Sequence, residues 1–398
     1  MDDRPPAILF TGFEPSGDDH ASAVIKRLLA KRPDLQIHAW GGPKMRAAGA
    51  NIIEETGKDA VMGIPGLKKI QEHRAINQRV AAWLDNNKIR AHIPVDSPAA
   101  NFPICKMAKD RGIKVVHLVA PQVWAWGPWR VNKLRRLTDH VCCVLPFEET
   151  YFKERDVPAE FVGHPLFDKA PDPKDLDPII TDWPKGEPSL AIMPGSRPAE
   201  LRKNFPILLA AFRRLHQEHP GIVGRVAATT PEVARQLRDL AALSGGWPEA
   251  LETVAGETDA VIRWADLALV VSGTVTLQIA RQAKPMVIVY KSSPLLYNLL
   301  GRWLVRTKHF TLPNLIAGEE IVPEFVPHFG GPEPIVDRAV ELLENPEAAE
   351  AQRQALSKIA DRYEGTNAAN AAADAILRVA ELEPSANTPS AESESRPA

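Results

Sequence analysis

Apolar residues in this chain come in short runs that alternate with stretches of helical periodicity, and the alternation restarts once. Residues 7–11, Ala-Ile-Leu-Phe-Thr, form the kind of unbroken run that a strand buried on both faces requires. Gly12 to Gly17 interrupt it. Ala21, Val24, Ile25, Leu28 and Leu29 then recur at helical spacing, with Ser16 or Asp18 placed to cap the helix start. Further strands are expected at 36–40, 114–119 and 139–145, separated by helix-like stretches, and such alternation predicts a mostly parallel sheet covered by helices.

Between residues 168 and 189 the texture changes. Pro171, Pro173, Pro178, Pro184 and Pro188 fall among acidic residues, leave little room for regular structure, and mark an interdomain linker over 171–188. A second series follows, with strands at 189–193, 222–229, 266–271 and 285–290 and helices at 199–218, 231–243 and 274–283. Two doubly wound α/β domains facing a cleft are the simplest architecture for this pattern. Helical periodicity then covers 335–345, 347–363 and 367–381, and the Ser/Pro/Glu-rich stretch 383–398 reads as a disordered tail.

Composition narrows the function classes. The length of 398 residues exceeds one ordinary core, and the net charge of −2 argues against a nucleic-acid binder that relies on overall positive charge. Cys105, Cys142 and Cys143 show no CxxC spacing and read as small core residues of a reduced, cytoplasmic protein. No secretory signal is expected at the start. No window reaches the ~20 apolar residues of a membrane span, so membrane contact would be peripheral.

Candidate chemistry gathers at the ends of apolar runs. In Met193-Pro194-Gly195-Ser196-Arg197, Gly195 permits close approach of the backbone to a ligand and Ser196 can cap the next helix. Arg197 offers a planar fork for diphosphate oxygens, although an ordinary strand-to-helix turn fits the same residues. Ser272-Gly273-Thr274 repeats the arrangement, with Gln278 one turn on for a ribose hydroxyl. Asp96, after an apolar run and before Ser97-Pro98, suits a general base or equally a turn-forming cap. The aromatic stretch from His117 through Trp124, Trp126 and Trp129 could stack on a sugar or pack beneath a loop, and Arg130, Lys133, Arg135 and Arg136 make a basic face beyond it. His164, in Val162-Gly163-His164-Pro165, lacks partners at ligand spacing, so no metal is expected there. The apolar segments 61–67 and 294–306 suit either buried core or an acyl-chain slot.

Taken in order, the motifs resemble the lipid-A-disaccharide synthase family. The runs that carry the resemblance are Glu14-Pro-Ser-Gly-Asp18, Gly42-Pro-Lys-Met45, Val61-Met-Gly63, Asp96-Ser-Pro98, Val123-Trp-Ala-Trp126, Leu145-Pro-Phe-Glu148, Phe161-Val-Gly-His-Pro165, Pro194-Gly-Ser-Arg197, Ser272-Gly-Thr274 and Leu312-Pro-Asn-Leu315. The resemblance implies a GT-B glycosyltransferase with an acceptor-side domain over 1–170, a UDP-sugar domain over 189–345, and helices in 346–382 returning to the first domain. It implies UDP-2,3-diacylglucosamine as donor, 2,3-diacylglucosamine 1-phosphate as acceptor, inversion at the anomeric carbon, and no metal or other cofactor.

By the same resemblance Asp96 is the catalytic aspartate and Arg197 holds the UDP diphosphate, with Gly195, Ser196, Ser272, Gly273, Thr274 and Gln278 around the nucleotide. Glu14, Ser16, Gly17, His117, Trp124 and Asn314 are implied as substrate contacts, and Met62, Ile64 and Leu67 as acyl or membrane contacts at an anionic inner-membrane surface. A homodimer is compatible with it. The chain departs from the family pattern at Phe13, at Ala99-Ala100, at Gln278 and at Glu319. Those departures leave open a diverged sugar-nucleotide enzyme, such as an epimerase, or a silent glycolipid-binding homologue.

Overall fold

The computed structural model describes residues 5–56, 67–125, 127–168, 170–292 and 307–383. The chain divides into two compact units, one of Met1–Asp168 with Gly365–Ala398 and one of Lys169–Glu364.

Among the described residues, the first unit holds a seven-stranded parallel sheet in the order β3-β2-β1-β4-β5-β6-β7. Its strands are β1 (Ala7–Gly12), β2 (Gln36–Gly41), β3 (Asn51–Glu55), β4 (Ala91–Val95), β5 (Lys114–Leu118), β6 (His140–Cys143) and β7 (Ala159–Phe161). Side chains alternate between the two faces, so each strand feeds two cores. Ile8 and Phe10 of β1 pack beneath the Pro15–Lys31 helix with Ile25 and Leu28, whereas Leu9 packs on the other face with Ile104, Cys105 and Ala108 of the Pro98–Asp110 helix. Burial on both faces is why the run shows no polar alternation.

The second unit holds a six-stranded parallel sheet in the order β10-β9-β8-β11-β12-β13. These are β8 (Ser189–Met193), β9 (Val223–Ala228), β10 (Leu251–Ala255), β11 (Leu267–Val271), β12 (Met286–Lys291) and β13 (Glu324–His328). Leu190 and Ile192 meet Phe205, Leu208 and Phe212 of the Pro198–Glu218 helix, while Ala191 and Met193 face Val261, Ile262 and Trp264.

The stretch expected to be an irregular linker carries a helix, Pro173–Ile180, which belongs to the second unit. Pro173 occupies its first turn, where a missing N–H costs nothing, and Asp172 accepts from the Lys174 amide to cap it. The C-terminal helices divide differently from expectation. Pro346–Asp361 stays with the second unit, where the Gln352 side-chain oxygen accepts from the Met286 amide at 2.6 Å, and only Ala368–Val379 packs in the first. Asp168 seats that last helix, accepting from the amides of Ala368 and Ala369 at 2.7 and 3.1 Å. Gly163 has φ of +93°, and a Cβ there would lie 2.6 Å from Thr366 Oγ1, which accounts for the glycine of the Gly-His-Pro motif. The expected tail falls, after Glu383, outside the described residues.

Candidate active site

Asp96 follows β4 at its carboxyl end, where open α/β sheets place their ligands. It has φ of +44° and the next residue, Ser97, +39°. Two successive L-residues in the left-handed region cost about 1–3 kcal/mol each and persist only where surrounding contacts over-determine them. Those contacts are specific. The Asp96 amide donates to Leu118 O at 3.0 Å, and Asn101 Nδ2 donates to both Val95 O (3.1 Å) and Asp96 O (2.9 Å). Ser97 Oγ donates to Glu14 Oε1 at 2.7 Å. Glu14 is itself the N-cap residue of the Pro15–Lys31 helix, the position expected of Ser16 or Asp18.

Asp18 has another task. Its buried carboxylate accepts from the amides of Gly42 (3.1 Å), Lys44 (2.9 Å) and Met45 (2.9 Å), capping the Pro43–Ala47 helix. A Cβ on Gly42 would sit 2.4 Å from Asp18 Oδ2. The Glu-Pro-Ser-Gly-Asp and Gly-Pro-Lys-Met motifs are therefore two sides of one joint. Ser16 is exposed beside it, and Gly17 is buried against Val95.

Two expected substrate contacts in this unit point inward. His117 is fully buried on the sheet face beneath the Pro98–Asp110 helix, edge-on to Phe102 and 3.8 Å from Cys105 Sγ. Burial pushes its pKa down to about 3, so it is a neutral core residue rather than a sugar contact. Trp124 is buried as well, and its indole N–H donates to Glu148 Oε1 at 3.0 Å.

Glu148, from the Leu-Pro-Phe-Glu run, has a role that its local sequence does not reveal. Its carboxylate is completely buried, and Oε2 accepts from the amides of Val144 (3.1 Å) and Leu145 (3.0 Å). Desolvation outweighs these bonds and, helped by the nearby Asp96 charge, pushes its pKa up to about 7.

In the second unit, Gly195 at the end of β8 has φ of +98° and lets the chain turn into the Pro198–Glu218 helix. Arg197, not Ser196, is the N-cap residue, with no side-chain cap bond, and Pro198 follows at the first helical position. The Arg197 guanidinium is about half exposed and donates to Glu200 Oε1 at 2.9 Å. Asn204, one turn further, ties the helix to the end of β12 by accepting from the Lys291 amide at 2.7 Å. Tyr290 stands within electrostatic reach of Glu200 and Arg197, and Lys203 lies over its ring at 5.5 Å.

Ser272, Gly273 and Thr274 leave β11 as a second open turn. The Ser272 amide is paired to Val289 O, and Thr276 Oγ1 donates back to Gly273 O at 2.7 Å. Gly273 and Thr274 are exposed, while Gln278 is half-buried on the Val275–Arg281 helix. Asn314 is a correction. It is fully buried, accepts from the amides of Ile321 and Val322, and donates to Val322 O, so its amide closes a loop and is not presented to a ligand.

Met62 and Ile64 lie outside the described residues, as do 294–306. Leu67 opens the Leu67–Asn86 helix. Among the described residues no group of three or more His, Cys, Asp or Glu could hold a metal ion, and no helix is long and apolar enough to cross a membrane.

With this geometry in view, a family profile for lipid-A-disaccharide synthetase matches residues 8–379. The chain belongs to this family. A lipid-A-disaccharide synthase of Myxococcus xanthus is 32% identical over 379 residues, covering 94% of this chain and 98% of the relative. One of Anaeromyxobacter sp. (strain K) is 35% identical over 356 residues, covering 88% and 92%. The protein is thus a glycosyltransferase of the lipid-A-disaccharide synthase family.

Solved structures agree on the GT-B fold. The glycotransferase of kitacinnamycin superposes with a TM-score of 0.63 at 16% identity, covering 94% of this chain and 99% of that one. MurG of Acinetobacter baumannii gives 0.57 at 14% identity, covering 94% and 100%. UDP-GlcNAc 2-epimerase of Neisseria meningitidis, bound to UDP-GlcNAc, gives 0.59 at 13%, covering 94% and 98%. Against the family pattern, the departure at Phe13 is absorbed by the core, where the ring is buried with Leu9 and Trp40 and stands edge-on to His73. Ala100 likewise packs against that core.

Proposed function

We propose that this protein makes lipid A disaccharide 1-phosphate and UDP from UDP-2,3-diacylglucosamine and 2,3-diacylglucosamine 1-phosphate, with inversion at the donor's anomeric carbon. Asp96 takes the proton of the acceptor 6-hydroxyl as that oxygen attacks the anomeric carbon. The bond from that carbon to the UDP oxygen breaks, and UDP leaves with the electron pair. Arg197 and the open turns at Gly195–Arg197 and Ser272–Thr274 hold the UDP diphosphate and balance its growing charge. The single observation that carries this reading is the strained, cross-braced turn that presents a half-buried Asp96 after β4.

Incubating the purified protein with both substrates and following products by mass spectrometry tests it. Disaccharide and UDP in equal amounts support the reading. Conversion of the UDP-sugar without acceptor would favour an epimerase, and no conversion of either substrate a silent homologue.

We also propose that the protein meets an anionic membrane surface from this unit. Trp129 is 59% exposed next to Arg130, and Lys133, Arg135 and Arg136 follow on the Val131–Leu137 helix. An exposed indole beside a cationic helix suits the headgroup region of an acidic bilayer. Co-sedimentation with phosphatidylglycerol vesicles that falls as salt rises, and falls further in Trp129→Ala, is the expected result. Equal recovery with neutral vesicles would contradict it.

A further inference from the structure

Beneath the Asp96 turn, polar groups form a chain in a region that is otherwise apolar. Thr11 on β1 and His92 on β4 share the sheet face covered by the Pro98–Asp110 helix, and Asn101 projects from that helix's first turn. All three are fully buried. Asn101 Nδ2 faces two carbonyl oxygens, those of Val95 and Asp96, so only its NH2 group can stand there. Its Oδ1 therefore faces Thr11 Oγ1 at 2.7 Å and must accept, which uses the one hydroxyl proton of Thr11. Thr11 Oγ1 then accepts from His92 Nε2 at 2.8 Å, leaving Nδ1 bare and without a partner among the described residues. Burial, with His117 nearby, pushes the His92 pKa down to about 3, which keeps the ring neutral for this arrangement.

Each donor thus has one direction, from His92 to Thr11 to Asn101 to the backbone of the strained turn. We infer that Thr11 and Asn101, with His92 behind them, are positioning residues that hold Asp96 and Ser97 left-handed and so present the Asp96 carboxylate at the carboxyl end of β4. None of the three touches substrate in this account. A carboxylate displaced by about 1 Å can cost 10²-fold in rate, so the relay controls turnover without contributing to donor binding. The inference rests on Asp96 acting as the base.

Steady-state kinetics of Thr11→Val, Thr11→Ser, Asp96→Asn and the Thr11→Val/Asp96→Asn pair, with melting curves alongside, test it. Thr11→Val keeps the shape but lacks the hydroxyl, and should lower kcat about 10- to 100-fold with the donor KM unchanged within about twofold. Thr11→Ser restores the relay and should recover kcat to within about threefold. In the Asp96→Asn background Thr11→Val should change the residual rate by less than about twofold, because the group it positions is gone. Near-parental kcat in Thr11→Val, or an equal loss on both backgrounds, would overturn the relay while leaving Asp96 as the base. Near-parental kcat in Asp96→Asn would instead overturn the base assignment and the relay together. Should Thr11→Val fail to fold, Asn101→Ala carries the same comparison.

Discussion

The turn after β4 in the first unit and the turn after β8 in the second each follow the carboxyl end of an inner strand but are built in opposite ways. At Asp96 the backbone is strained, and side chains from β1, β4, and both flanking helices brace it. At Gly195–Arg197 a glycine takes the positive φ, the polar side chains are largely exposed, and the Arg197–Glu200 pair at 2.9 Å is the ion pair found there among the described residues. A base must be aimed within a fraction of an ångström, whereas a diphosphate can be met by an open turn and a long, charged arm that settles on it. In this chain fixed strain marks where bonds would change, and open backbone marks where a ligand would be held.

The largest expected effect on stability comes from breaking the joint beside Glu14. Asp18→Ala leaves three amides without their acceptor and should cost about 3 kcal/mol, read as an earlier unfolding transition of the first unit. UDP affinity should not change with it, because the residues proposed to hold UDP lie in the second unit. Arg197→Ala should do the reverse. Loss of a charge-assisted contact weakens UDP binding by about 10- to 100-fold in calorimetry, while the melting temperature moves little because the Arg197 arm is about half exposed, even though its partner Glu200 is mostly buried. If Arg197→Ala destabilised the fold and left UDP affinity intact, the open-turn reading would fail.

Acid should separate the two regions further. His92, His117 and His164 in the first unit have pKa values pushed down to about 3 by burial. Their unfolded value is near 6.5, so the stability they contribute is complete above that pH and is lost as pH falls toward 3. Glu148 runs the other way. Its value of about 7 means that its contribution is present below pH 4.5 and lost as pH rises through 7. Near pH 5.5 the three histidines outweigh Glu148, so unfolding takes up protons and stability falls as pH falls. Hydrogen exchange at pH 5.5 against 7.5 should show protection falling at β1, β4 and β5. Unchanged protection there would mean that these histidines are not held neutral. Asn314→Ala gives a smaller effect, a loss of about 1–2 kcal/mol with kinetic constants of the folded enzyme unchanged, since its amide serves a loop.

The alternation of apolar runs and helical periods gives most strands of both sheets, because a strand buried on two faces leaves a continuous apolar run, as β1 and β11 do. But β4, just as buried, is interrupted by His92 and Pro94 and is not among the expected strands. Short or half-exposed edge strands such as β3, β10 and β13 carry no such run and are not legible from the pattern. Asp96, Arg197 and the two turns were legible as small or charged residues after apolar runs. What sequence could not give was direction. His117 lies on the covered face of β5, and Asn314 spends its amide on a loop seven and eight residues later, facts that depend on register and on closure of the chain. Thr11, His92 and Asn101 lie up to 90 residues apart and carry no local motif that joins them. Glu148 stood in a recognisable run, but its burial is set by Trp124 and the β6 turn.

Asp96 acting as the base is tested most directly by kcat for disaccharide formation by Asp96→Asn, taken together with its affinity for UDP by calorimetry. The substitution keeps the shape and removes the proton acceptor, so kcat should fall by about 10²- to 10⁴-fold while UDP affinity stays within about twofold. A near-parental rate, or a loss explained entirely by weaker UDP binding, would contradict it.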